Sequence, residues 1–362
     1  MMRARDWFLQ GASVLLLMLG SAAHAGSLAI SPYPSSEPLS SWFTKRVLVF
    51  GVEVAAAPNV PDSKVLHAAS VLAEYLDQDE DGVADDPGVV DAMLNNGALL
   101  VMFKNVNQLE NSGIFDSDVL DERWAQDCLG DETNPTNDFD ASLEEVLHLV
   151  HTSGLAHQYP DLAAEDGSRL SLAMDVARGG HFVNVPSNYP PGAWYHYDDS
   201  TCDYECQGAE YFYWGLTSIL GAQADPDRCD EIEEEWELCN LGLVQSRDPS
   251  LYAILTDPQY GLPTRLPDGN YEVGSMGICG NGVIEASEHC DDGEQNGRST
   301  SCCASDCQFK PNGPASCDGN ACTRSDQCTD GQCSAGPCQG GAPCSFCGGT
   351  CVESASDCSC VF

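Results

Sequence analysis

The sequence predicts an α/β or α+β domain over residues 43–270, followed by a small disulfide-rich module over 279–362. Two observations predict this arrangement. Apolar runs of strand length, Val47-Leu48-Val49-Phe50-Gly51-Val52 and Ala98-Leu99-Leu100-Val101-Met102-Phe103, alternate with segments whose apolar residues recur every three or four positions. A continuously apolar run is what a strand buried on both faces needs, and the helical spacing between runs supplies the layers that bury it. The second observation is the distribution of the 20 cysteines: five lie between Cys128 and Cys239 and fifteen between Cys279 and Cys360. The second stretch has few large apolar residues, so covalent staples must replace a core.

In chain order, residues 1–25 read as a signal peptide. Arg3 and Arg5 give a positive start, residues 12–19 are apolar but too short to span a bilayer, and Ala23-His24-Ala25 offers a cleavage site. No later run is long enough for a membrane span. The expectation is therefore a secreted protein, extracellular or periplasmic, with no membrane insertion. A net charge of −41 repels nucleic-acid phosphates and anionic membranes, which excludes nucleic acid as a partner. Such a surface favours divalent cations or basic ligands.

Residues 26–42, rich in Ser and Pro, read as an extended lead-in. Val65, Ala68, Ala69, Leu72 and Leu76 mark a helix over 64–76, and a shorter one follows over 89–94. Residues 127–140 are polar and turn-like, with Asp140 or Ser142 available to cap the next helix. A later helix is expected over 208–221, through Glu210, Tyr211, Trp214, Leu216 and Ile219, and an acidic one over 230–237. In an exported chain the cysteines read as disulfides, with Cys202–Cys206 and Cys229–Cys239 as local pairs. Both cysteine groups are odd, so full pairing demands a bond between them, with Cys128 its candidate in the first.

Asp77-Gln78-Asp79-Glu80-Asp81-Gly82-Val83-Ala84-Asp85 sets acidic oxygens at loop positions one, three, five and nine. Gly82 falls where the chain must turn sharply, and Val83 offers its carbonyl at position seven. The segment 77–88, between two helices, resembles an EF-hand calcium loop, which implies calcium on Asp77, Asp79, Asp81, Val83 and Asp85. At position twelve Gly88 replaces the closing glutamate, and Asp86 is the nearest substitute. Weak, structural binding is the consequence.

The segment 143–151, Leu-Glu-Glu-Val-Leu-His-Leu-Val-His, splits at 100° per residue into two faces. Leu143, Val146, Leu147 and Val150 form an apolar stripe; Glu144, His148 and His151 lie opposite, with Glu145 at the edge. The stretch 144–148 resembles the H-E-x-x-H motif of zinc peptidases, with Glu144 in place of the first His. That resemblance implies a zincin-like fold, Glu145 as general base, and Glu144 and His148 as ligands of zinc or another divalent transition metal. A further ligand is sought among His151, His157, His181, His196 and Glu210, and Glu210 stands out because it opens a second helix. The alternative is a solvated helix face with a weak Glu–His pair.

Two further segments combine polar and aromatic residues: Arg178-Gly179-Gly180-His181-Phe182 and Trp194-Tyr195-His196-Tyr197-Asp198-Asp199. Each reads as a pocket wall or as packing. The chain contains no G-x-S-x-G elbow, phosphate loop or dinucleotide fingerprint, so serine-hydrolase and nucleotide-dependent readings lack residues.

Cys279-Gly280-Asn281-Gly282-Val283-Ile284-Glu285 and Glu288-His289-Cys290-Asp291 resemble a C-G-N-G-x-x-E…E-x-C-D module opening. It occurs in the cysteine-rich repeats of exported myxobacterial-type proteins and in the disintegrin-like module of animal membrane metallopeptidases. Residues 302–309 and Cys317, Cys322, Cys328 and Cys333 continue the match. The resemblance implies an interaction tail for an extracellular protein or surface ligand. Two functions are thus expected in competition. One is an exported calcium-binding protein with a metal-dependent hydrolase site on 143–151; the other is a non-catalytic adhesion or matrix protein with structural calcium only.

Overall fold

The computed structural model describes residues 28–136 and 138–273. In the tail it describes 289–290, 292–304, 307–310, 312–315, 326–329, 332–334, 350–354 and 357–361. The expected signal peptide and the Cys279–Glu285 opening of the tail motif lie outside the described residues. The chain divides into two compact units, one of residues 1–78 and 82–271, the other of 79–81 and 272–362.

The first unit is a mixed α/β domain on a five-stranded sheet. β1 (Ser31–Pro32), β2 (Lys45–Val49) and β3 (Val52–Ala56) run antiparallel, and β4 (Leu99–Phe103) and β5 (Ala125–Leu129) continue parallel to β3. The lead-in over 26–42 is thus partly built into the domain, with a strand, a 3-10 turn at Pro38–Ser41 and buried Tyr33 and Leu39. The single strand expected over 47–52 is instead a hairpin. Its two-residue turn, Phe50-Gly51, has φ of 50° and 92°, the left-handed backbone that joins right-twisted strands. The run from Val47 to Val52 is apolar straight through the turn, so the run itself conceals the reversal. β5 occupies the start of the segment expected to be turn-like, hidden by its polar residues Gln126 and Asp127.

Helices α1 (Asp62–Leu76) and α2 (Pro87–Asn95) lie near the positions expected. α3 (Val106–Ser112) starts on the Asn105 side chain, which accepts from the Gln108 amide. α4 (Ser142–Val150) is the motif helix. Its start is organised by Asp140, whose Oδ1 accepts from the Ser142 amide (3.1 Å) and hydroxyl (2.6 Å), while Oδ2 lies 2.6 Å from His67 Nε2 on α1. A π-helical turn follows at His151–Leu155, then the short α5 (Ala156–Gln158). Gly154 permits the close approach there: a Cβ would stand 2.7 Å from Met93 Cγ.

α6 (Arg169–Ala177) precedes α7 (Tyr204–Leu220), α8 (Pro226–Ile232), α9 (Leu241–Arg247) and α10 (Pro249–Leu255). Asp203 caps α7 through the Cys206 amide, and Gly221, at φ 92°, ends it. The acidic helix expected over 230–237 stops at Ile232. The chain turns there so that Trp236 pairs with Tyr195 in a β-bridge and buries its indole completely. Continued helix would sacrifice that burial.

The Cys202–Cys206 and Cys229–Cys239 disulfides form as expected. The cross-link from Cys128 does not. Cys128 is a free thiol on β5, buried at 1 % exposure with Sγ 3.3 Å from Thr133 Oγ1. Burial pushes the thiol pKa up, which makes it inert. Among the described residues no helix is long and apolar enough to cross a membrane.

The second unit is disulfide-rich. Cys290–Cys303 and Cys302–Cys328 are bonded, and Cys307 and Cys333 are disulfide-bonded too. Its strands are short: β6 (Gly313–Ala315), β7 (Asp326–Thr329) and β8 (Gln332–Ser334) form one sheet, β9 (Thr350–Ser354) and β10 (Asp357–Val361) another.

Candidate metal centre

α4 packs between β5 and α7. Its apolar stripe of Leu143, Val146, Leu147 and Val150 is buried as the spacing requires, each side chain contributing about 1.5–3 kcal/mol. The opposite face is only partly solvated, with Glu144 and Glu145 at intermediate exposure. α7 covers it, leaving His148 6 % exposed and His151 fully buried.

Glu144 and His148 on α4 meet Glu210 on α7, with one ligand atom from each lying within 4.8 Å of the others. His148 Nε2 stands 3.4 Å from Glu210 Oε2, yet that nitrogen is buried without a hydrogen-bond partner. The other edge of the ring, Nδ1, lies 3.8 Å from Glu145 Oε2, and that oxygen accepts a hydrogen bond from Gln126 Nε2 at 2.6 Å. Tyr213 packs edge-on to the imidazole, centroids 5.6 Å apart. Tyr197 Oη donates to Glu210 Oε1 (3.3 Å), and Trp214 Nε1 donates to Glu235 Oε1 (2.9 Å).

Crowding of carboxyls around one imidazole shifts the protonation of every member. Burial, then the charges of Glu210 and Glu145, push the Glu144 carboxyl up to about 8 against the pull of His148 and Tyr213. Burial also raises Glu145 and Asp127, and takes Glu235 up to about 7, opposed by the Trp214 hydrogen bond and assisted by Glu210. For His148 burial acts downward, but Glu210, Glu145 and Glu144 outweigh it and hold the imidazole well above its ordinary 6.5.

A pH dependence follows, and its sign is fixed by linkage. The folded chain keeps a proton on Glu144 that the unfolded chain releases near 4.5, so this group's contribution to stability falls as pH rises from 4.5 to about 8. His148 acts in the same direction, its contribution being lost as pH rises through the elevated folded value. The melting temperature of metal-free protein is expected to decline across this window, and Glu144→Gln is expected to flatten the decline. Equal slopes for the two proteins would remove Glu144 from the account.

The remaining histidines lie elsewhere. His151 stacks on Phe212 at 4.0 Å with Nε2 2.7 Å from the Leu162 carbonyl, and burial takes its pKa down to about 4. His157 packs on Trp124, His181 bonds Asp175, and His196 Nε2 stands 4.0 Å from Glu237. In the two aromatic segments, Arg178 is buried among Phe182, Tyr189 and Tyr204. Tyr195 is core, and Tyr197 alone contacts the Glu144–His148–Glu210 cluster through Glu210. Tyr213 was legible as the i+3 neighbour of Glu210 on one helix. Asp127, Gln126 and Glu235 carry no local signal, because β5 and the turn after α8 reach the cluster only through tertiary packing.

In the acidic loop, Asp77 and Asp85 each place a carboxylate oxygen within 4.8 Å of the other. Asp77 is fully buried, its Oδ2 accepting from the Gly82 amide (2.9 Å) and the Tyr271 hydroxyl (2.5 Å). Gly82, at φ 85°, makes the expected sharp turn, with Val83 half-buried after it. Asp79 and Asp81 belong to the second unit, where the Asp81 amide donates to Asp79 Oδ1 at 3.3 Å. Asp86 is otherwise engaged: Oδ1 caps α2 through the Gly88 and Val89 amides, and Oδ2 accepts from Tyr159 Oη. At position twelve a Cβ on Gly88 would stand 2.5 Å from Gln158 Nε2, so that exposed side chain would have to move to admit one.

The fold and cluster define a mixed α/β domain with a histidine–carboxylate centre buried between two helices. Beyond that class the comparisons are silent: no family model, no curated protein and no solved structure matches the chain.

Proposed function

We propose that Glu144, His148 and Glu210 hold a divalent transition metal of the zinc class, and that the protein is an exported metal-dependent hydrolase with a peptidase-like site in a zincin-like domain. The observation that carries this reading is the orphaned His148 Nε2, buried and facing Glu210 Oε2 at 3.4 Å. Two ligands bonded at zinc distances to one tetrahedral ion stand about 3.4 Å apart. The spacing suits an edge of a coordination tetrahedron better than a hydrogen bond, and one imidazole with two carboxylates is an accepted donor set that leaves a position open.

When bound, the ion supplies Lewis acidity toward a substrate carbonyl. The chain's own residues do the rest. Glu145, against Nδ1, orients the imidazole so that Nε2 faces the cluster, the support a metal-ligating histidine needs. The base role expected for Glu145 falls to its Oε1, since Oε2 is taken by Gln126 and Nδ1. Tyr197 holds Glu210 by one oxygen and leaves the other toward His148. Metal analysis after exhaustive dialysis tests the reading: about one retained zinc-class ion per chain, with peptide hydrolysis stopped by chelation, is expected. Protein free of metal at that stage, with no site to refill, would discard it.

The second reading, a non-catalytic adhesion or matrix protein with structural calcium, is favoured by the Asp77–Asp85 approach across the Gly82 turn. On this reading the disulfide-rich unit engages an extracellular protein or surface ligand. Calcium in the millimolar range is expected to raise the melting temperature, with an apparent Kd of about 10⁻⁴–10⁻³ M. Asp79→Ala combined with Asp81→Ala is expected to abolish that rise. An undiminished response in the double variant rules the loop out.

A further inference from the structure

We propose that an open cleft at the carboxyl end of β4 binds a neutral polyhydroxylated ligand, the pyranose rings of an oligosaccharide, and that Trp42, Asn107, Gln108 and Asn111 recognise it. The cleft has a volume of about 490 Å³, within the range of about 300–1,000 Å³ usual for small-ligand sites. It is lined by Trp42, which precedes β2, by Phe103, which ends β4, and by residues of α3. The carboxyl ends of parallel strands are where α/β sheets commonly hold ligands. None of these residues belongs to the His148 cluster, so this site stands apart from the metal-centre reading.

Trp42 differs from the other described tryptophans. Trp124 meets the His157 ring, Trp214 the Tyr213 ring and Trp236 the Tyr195 ring, while Trp194 carries the Arg247 guanidinium. Among the described residues no ring or guanidinium stacks on Trp42, which borders the core but is only half-buried. Its Nε1 donates to the Ser112 carbonyl at 2.9 Å, which fixes the indole against the end of α3. An anchored indole without an internal stacking partner, bordered by hydrogen-bonding groups, suits the C–H face of a sugar ring.

The polar groups set the ligand's chemistry. No lining residue is ionisable, although the chain carries 56 acidic and 15 basic residues. Hydroxyls are therefore a better match than charged groups. Gln108 Oε1 accepts from the Lys104 amide at 2.7 Å, which leaves its Nε2 as a donor. Asn111 Nδ2 donates to the Asn107 carbonyl at 2.6 Å, which leaves its Oδ1 as an acceptor. The exposed Asn107 side chain has no partner among the described residues and keeps both functions. A sugar hydroxyl both donates and accepts, so amides presenting a donor and an acceptor side by side satisfy neighbouring hydroxyls. Proline-rich peptides dock in grooves lined by aromatic rings, whereas the second ring here, Phe103, is only 2 % exposed. A nucleotide would bring phosphate against a net charge of −41.

The test titrates the full chain with cellohexaose, chitohexaose, maltohexaose and laminarihexaose, read by tryptophan fluorescence and calorimetry. At least one is expected to bind saturably, with an apparent Kd on the order of 0.1–1 mM. Asn107→Ala is expected to weaken that binding about tenfold with an unchanged melting temperature, since the side chain holds nothing in the fold. Trp42→Ala is expected to abolish it, with circular dichroism as the check on folding, and Asn107→Ala decides alone if that variant does not fold. Trp124→Phe, at an indole outside the cleft, is expected to leave binding intact. No saturable binding of any of the four sugars, or binding undiminished in Asn107→Ala, overturns the proposal. Tighter binding of decaproline or adenosine overturns it too, by giving the cleft a peptide or a nucleobase as its ligand.

Discussion

If Glu144, His148 and Glu210 hold the proposed transition metal, replacing His148 with alanine is expected to lower its affinity by more than about 100-fold. Loss of residues that merely support a metal ligand costs 10–100-fold, and His148 contributes the single nitrogen of a three-residue donor set. What remains would be Glu144 and Glu210, two carboxylates in a buried space. With the imidazole gone they are expected to share protons, since like charges at close range resist joint ionisation. Conservative replacement by glutamine keeps more of the volume against Tyr213 and separates metal loss from collapse of packing. Dialysed variants read by elemental analysis decide the matter, with circular dichroism as the check on folding. Metal content equal to wild type in both variants would place any bound ion elsewhere.

Trp236→Ala is expected to produce the largest loss of stability, about 3–5 kcal/mol. The indole is fully buried, edge-on to Tyr195 and Tyr211 with centroids 6.1 and 6.0 Å away. Its Nε1 donates to Ser218 Oγ at 3.0 Å. Truncation empties a large volume and leaves Ser218 without its donor, so transfer and cavity terms add. Domains of this size are stable by about 5–15 kcal/mol, so the variant would lose a large part of its margin. At roughly 2–4 °C per kcal/mol the melting temperature should fall by on the order of 10 °C. Trp236→Phe should lose markedly less. A urea midpoint in the alanine variant close to wild type would show that the site relaxes around the gap.

Much of the centre was legible before any fold was known. Glu144 and His148 are four residues apart, so a helix presents them together whatever surrounds it. Glu210 was singled out for the start of its helix, and α7 does carry it to His148, although that helix begins earlier, at Tyr204. Less visible was the environment. An amphipathic pattern implies a wet polar face, whereas α7 partly covers this one, burying His148 while Glu144 and Glu145 stay half-exposed.

The misreadings share a cause. Phe50-Gly51 is as apolar as the strands it joins, so composition hides a reversal that positive φ makes plain. Parity of cysteine counts assigned Cys128 a partner, but the residue faces the core from β5 and meets Thr133. The acidic run after Cys229 has helical composition, yet burial of Trp236 outweighs local propensity and bends the chain.

Sequence by itself determined the properties that depend on neighbours along the chain. These are the alternation of strands and helices, the short disulfides Cys202–Cys206 and Cys229–Cys239, the turn at Gly82 and the shared face of Glu144 and His148. Their physical basis is covalent spacing, which acts over a few residues. Tertiary structure alone decided which groups meet across distance. It set Glu210 beside Nε2 and Glu145 beside Nδ1, and it withdrew Cys128 from any disulfide. Those outcomes follow from packing apolar faces together, a global balance that no local window of residues contains.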